Sequence, residues 1–254
     1  MILHYHPQLK ELFRGNNPNS DVALNKSFAD WQTLIERELK VRCGWKENYD
    51  SNEEEKALFR YAQEHRRHFQ QDITANEVLV LVHPLYLPLT HMHLLKTNQQ
   101  REEVNVYLRQ LLDILERVKE KQQQQVVILE TLYHYAAATS LFLENGLVGG
   151  TVFTEYDSGR LYPTDNLKRI KQKKLFVGGA YNRCCLKKGL KEIETVTTGE
   201  DMMVIPEFIF DHPEDAERST LKSQQVIFDN GSIQGIIPPK RHLSIEDLIK
   251  RWQL

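Results

Sequence analysis

The chain has 254 residues, 41% hydrophobic and 27% charged, with a formal net charge of −2 and an isoelectric point near 6.6. This is the composition of a globular protein with room for one sizeable α/β core. It excludes a generic nucleic-acid binder, which carries a basic face. The longest apolar run, VLVLV at 78–82, is far too short to span a bilayer, so no membrane contact is expected. MILHYHPQLKELFRG at the start has no basic segment leading into an apolar core, and no secretion signal is read there. Cys43, Cys184 and Cys185 make no disulfide framework, and a reducing cytoplasm is the expected location.

Residues 1–75 contain no strand-like run and are read as a helical extension packed on the core. FADWQTLIERELKVRCGW (28–45) has helical apolar spacing, with Ser27 and Asp30 as a capping box. NEEEKALFRYAQEHRRHFQQ (52–71) is a second helix, capped by Asn52 with glutamates early and basic residues late. Arg66, Arg67 and His68 read as a solvated face.

Residues 76–254 read as the α/β domain. VLVLVHPLYLP (78–88) has the continuous apolar character of a strand buried on both faces. A helix follows at about 100–121, with Val104, Tyr107, Leu108, Leu111, Leu112, Ile114, Leu115 and Val118 in one stripe. VVILETLYHY (126–135) is the second strand, running into an alanine-rich helix that stops at Gly146. TVFTEY (151–156) is a shorter strand at an edge, and LFVGG (175–179) is the third buried strand, with its helix over about 181–194. MMVIPEFIF (202–210) is the fourth, with Pro206 expected at its end because proline donates nothing to a ladder. QVIFDNGSIQGII is a hairpin turning at Asn-Gly, and SIED (244–247) caps a last helix. Strands alternating with helices predict a mostly parallel, Rossmann-like three-layer sheet with the helical N-terminal extension.

Open sheets of this kind bind ligands outside the carboxyl ends of their strands. That rule brings together His83, Glu130, Gly178, Gly179 and Glu207, with Tyr133 as a pocket-lining candidate. The helix after Gly179 presents unpaired N–H groups at Tyr181, Asn182 and Arg183, which favour an anion or a polar small molecule. A cysteine in its first turns has its thiolate stabilised by the same field, with Arg183 adding positive charge. The competing reading treats Cys184 and Cys185 as small apolar residues that pack the helix on the sheet.

GAYNRCCLKKGL (179–190) resembles the segment around the nucleophile of isochorismatase-like cysteine hydrolases: a buried strand ends in glycine, and a cysteine follows six residues later at a helix start. The resemblance implies a parallel α/β fold, hydrolysis of small amides or vinyl ethers, and Cys185 as the nucleophile facing the cleft. The chain has His83 where that family has an aspartate, and Glu130 where it has a lysine.

Two function classes follow. In the first, the chain is a hydrolase or transferase acting on a small molecule. Cys185 is then the nucleophile, His83 its general base and Glu130 the orienting carboxylate. In the second, the chain is a non-catalytic binding or interaction protein. His91 and His93 have no carboxylate or cysteine at zinc-like spacing, so no metal is expected. No P-loop, G-x-G-x-x-G, G-x-S-x-G or H-E-x-x-H occurs, and no cofactor is expected. No feature of the sequence sets an oligomeric state.

Overall fold

The computed structural model describes residues 51–91, 94–122, 125–155, 159–162, 165–197, 201–215, 220–222, 226–229 and 234–254. The expected helix at 28–45, His93, and the Asn-Gly turn of the hairpin lie outside the described residues.

Five parallel strands form one sheet: β1 (Glu77–Val82), β2 (Val126–Thr131), β3 (Gly150–Thr154), β4 (Lys174–Ala180) and β5 (Met202–Phe210). Their spatial order is β3-β2-β1-β4-β5. The apolar runs of β1 and β2 are buried on both faces, which is what parallel packing demands. Each fully buried Val or Leu contributes roughly 1.5–3 kcal/mol.

One face is covered by α1 (Ser51–Phe69), α2 (Asn98–Glu120), the helical run α3 (Leu132–His134) to α4 (Ser140–Glu144), and the last helix, described below. A π-helical stretch, Tyr135–Thr139, joins α3 to α4, and Gly146 with φ +65° ends the run. The opposite face is covered by α5 (Cys185–Glu194), with Leu167, Ile170, Val226 and Ile237. β6 (Ile227–Asp229) and β7 (Gln234–Ile236) form the antiparallel hairpin. The C-terminal helix α6 (Ile245–Trp252) is capped by Ser244, whose hydroxyl accepts the N–H of Asp247. The whole apolar stripe expected on α2 is buried. A capping box between Thr97 and Gln100 opens that helix.

Several boundaries differ from the sequence reading, each for a local reason. β1 stops at Val82 because His83 takes a left-handed conformation (φ +47°), and residues Leu87–His91 form a π-helical turn. β2 stops at Thr131, whose hydroxyl caps α3 by accepting the N–H of His134. Asn52 stands inside α1, whose described part already includes Ser51, so it is not the cap. Pro206 lies inside β5 rather than at its end. Val204 pairs with Val177 and Ile209 with Gly179, so residues 205–208 bulge opposite Gly178 alone, and the missing N–H costs no ladder bond. Arg66 does not join a solvated face: it lies over the Phe153 ring at 4.5 Å, donates to the carbonyl of Thr151 and pairs with Asp165.

Leu58 and Ala62 of α1 belong to the same apolar cluster as α2 and the β2–β3 helices. His65 ties them further, meeting Tyr135 Oη at 2.7 Å and Glu144 Oε1 at 2.7 Å.

Candidate functional site

The connections after β1 and β2 pack on one face, and those after β3 and β4 on the other. The strand order therefore reverses between β1 and β4. Their carboxyl ends are the topological switch point, where doubly wound sheets open a crevice. The residues there are His83 after β1 and Gly179 to Tyr181 at the end of β4.

The two glycines serve packing. Gly179 has φ +137°, and a Cβ added there would lie 2.0 Å from the carbonyl oxygen of Val82. A Cβ on Gly178 would lie 2.5 Å from Cβ of Phe208. Space expected for a ligand against these residues is filled by β1 and β5.

His83 is fully buried. Its Nε2 meets Thr154 Oγ1 at 2.7 Å, and its ring stacks on Tyr86 with centroids 5.6 Å apart. Burial, aided by the nearby His134, pushes its pKa down to about 3. A group so weakly basic is a poor general base at neutral pH.

Glu130 is 0% exposed near the end of β2. Its Oε1 accepts the N–H of Thr131 at 3.0 Å and lies 3.5 Å from Nδ1 of His134. Among the described residues, Glu130 thus faces His134 and not His83, and the i,i+4 spacing of Glu130 and His134 is the sequence signal for that pairing. Tyr107 lies nearby. Burial first, then the Glu130 carboxylate, raises its phenol well above the usual range, and its hydroxyl donates to the carbonyl of Pro84 at 2.7 Å.

Tyr86 connects this cluster to a second one. Its ring meets His134 edge-on at 4.7 Å, His91 at 5.2 Å and Tyr181 at 5.9 Å. His91 Nδ1 lies 2.9 Å from Tyr181 Oη, and the His212 ring sits 4.9 Å from His91 and 4.8 Å from Tyr181. Histidines that follow β1, β2 and β5 are thereby gathered with Tyr181 at one edge of the sheet. Sequence reasoning had no signal for His212 or Tyr86, which only the strand order brings together.

The cysteine pair starts α5. Helix geometry begins at Cys185, not near Tyr181, because Asn182–Cys184 form a turn held by the N–H of Asn182 on Phe210 and the N–H of Cys184 on Tyr181. Cys185 is 2% exposed, in the cluster with Val82, Val177, Leu186 and Leu190. Cys184 is half-buried and packs against both apolar clusters, with its sulfur 3.9 Å from that of Cys185. Asn182 is buried and donates to Asp211 Oδ1 at 3.1 Å, while Arg183 is exposed. Glu207 accepts the N–H of Ile245 at the start of α6, and Tyr133 packs half-buried against the α2 face. Among the described residues, no three His, Cys, Asp or Glu side chains are grouped to hold a metal ion, and no helix is long and apolar enough to cross a membrane.

Compared with known proteins, the chain matches no family model, no curated protein and no solved structure.

Proposed function

We propose that the chain is a cysteine-dependent hydrolase or transferase acting on a small molecule at the carboxyl edge of its sheet. The observation that carries this reading is the seat of the cysteine pair: Cys184 caps α5 and Cys185 opens it, directly after β4, one of the two strands that flank the switch point. Backbone N–H groups and the helix dipole favour a thiolate there, and exposed Arg183 adds positive charge. In this reading the pair supplies the nucleophile, Cys185 deepest in the helix field and Cys184 nearer to solvent.

Alkylation with iodoacetamide across pH, on wild type, Cys184→Ser and Cys185→Ser, tests the reading. The expected result is a thiol with an apparent pKa well below about 8.5, lost in one of the two variants. Thiols that react only at or above that pH in the wild type would sink it.

The second reading is a non-catalytic small-molecule binder using the same edge. Two observations favour it: Cys185 lies among aliphatic side chains, and the Nε2 of His83 is engaged by Thr154. Inert thiols in the same assay are its expected result.

A further inference from the structure

We infer that the carboxyl edge beside β1 and β2 accepts a small organic cation, a primary ammonium, with the Glu130 carboxylate as its anchor. The inference rests on the reading of this edge as the ligand site. Glu130 is 0% exposed, and its two oxygens are treated differently. Oε1 takes the backbone N–H of Thr131 and faces His134. Oε2 has no hydrogen-bond partner among the described residues. Burying a carboxylate oxygen without a donor is among the most costly things a fold can do. The fold does so one residue from the carboxyl end of a central strand, beside the switch point.

Oε2 is an acceptor oxygen left without a donor among the described residues, so the group that completes it donates. A cation fits better than a neutral donor, since charge is poorly screened in such surroundings. Nearby, the Tyr86 ring packs on His83, His91, His134 and Tyr181. A metal ion is disfavoured by the absence of any three grouped ligands among the described residues. His83 adds a further polar atom. Its Nε2 is engaged by Thr154, and its Nδ1 is buried with no hydrogen-bond partner among the described residues. When Nε2 carries the proton, Nδ1 accepts. A primary ammonium has N–H donors enough to complete Oε2.

The test follows the melting temperature of the full chain during titration with methylammonium, ethylammonium and benzylammonium chloride. Sodium chloride at equal ionic strength and tetramethylammonium, which has no N–H, are the controls. A primary ammonium is expected to raise the melting temperature dose-dependently, as a ligand of the folded state does, and neither control is expected to do so. Glu130→Gln should weaken the response about tenfold or more. Glu130→Leu should abolish it while raising the melting temperature of the ligand-free protein. The inference is overturned if no primary ammonium acts on the wild type, if Glu130→Gln responds equally, or if Glu130→Leu melts earlier, which would mean the fold already compensates the carboxylate. Cysteine alkylation on the same samples separates the two ideas. An ammonium response with inert thiols sinks the hydrolase reading alone, and reactive thiols without that response sink this inference alone.

Discussion

The two ends of the sheet treat charge in opposite ways. At the amino end, Glu77 opens β1 and is fully matched. Both its oxygens accept from Arg251 Nε at 2.9 Å, Arg251 Nη2 also bonds it, and Trp252 Nε1 donates at 3.0 Å. This pair lines a pocket of about 340 Å³ with Asn76 and Gln125. At the carboxyl end, Glu130 and His83 are buried deeper, and each keeps a polar atom without a hydrogen-bond partner among the described residues. An exposed, matched pair costs little to form and reads as a fastener between α6 and β1. Buried groups left incomplete destabilise the fold, so the cost is explained if they serve a ligand.

The contrast can be broken first at the backbone on which the carboxyl end depends. Gly179 has no room for a side chain: its φ is +137°, and a Cβ would meet the Val82 carbonyl and amide at 2.0 and 2.7 Å. Both obstacles are backbone and cannot swing aside. Gly179→Ala is expected to cost about 3 kcal/mol or more, measured by denaturant unfolding. A loss under about 1 kcal/mol would mean that the β1–β4 seam yields easily and that the carboxyl end is not rigidly built.

The next effect is a pH dependence located at that end. His83 has a folded pKa of about 3 against an ordinary 6.5, through burial first and His134 second. Its folded-state value is depressed, so the unfolded chain binds the extra proton between these limits. Stability is therefore complete above pH 6.5 and falls as the pH drops toward 3, by roughly 1.4 kcal/mol for each pH unit. His83→Asn is the control, because asparagine tolerates the left-handed backbone at φ +47°. Unfolding free energies at pH 7, 5.5 and 4 should converge or cross between wild type and variant. Parallel curves would show that His83 is not the acid-sensitive group, and the two ends would then differ less than their geometry implies.

How much of this was legible in the sequence follows the range of the interactions. Apolar runs and helical stripes are local, so the four principal strands, the α2 stripe and the Ser244 cap could all be read from neighbouring residues. The end of β1 was not, because a left-handed histidine leaves no mark in an apolar run that continues to Leu87. Nor was the inward turn of Arg66, which depends on Asp165 and Phe153 far along the chain. At the site, Glu130 and the cysteine pair stood out by residue type, but Glu130 was read with His83, and its partner four residues on, His134, was missed. The joining of Tyr86, His91, Tyr181 and His212 depends on strand order, which no local window contains. Glu207 was read as part of the cleft because it sits late in an apolar strand, yet it faces the start of α6.

The smallest expected effect tests the amino end. Glu77 has its carboxyl pKa held below the ordinary 4.5, first by the hydrogen bonds from Arg251, against the opposing pull of burial. The side chains of Glu77 and Arg251 are 25% and 41% exposed, so solvent screens much of the attraction. Arg251→Ala is therefore expected to cost only about 0.5–1 kcal/mol near neutral pH, including the lost packing of its guanidinium over Phe176 at 5.7 Å. The sign with pH is opposite in origin to a raised pKa. A depressed carboxylate contributes stability above 4.5 and loses it as the pH falls through the folded value. The gap between wild type and Arg251→Ala should accordingly be constant from pH 7 to 5 and shrink below 4.5. High salt should narrow it further. A gap that exceeds about 2 kcal/mol, or that survives at pH 3, would mean that Arg251 holds α6 by packing and not by charge. The amino end would then be no better matched electrostatically than the carboxyl end.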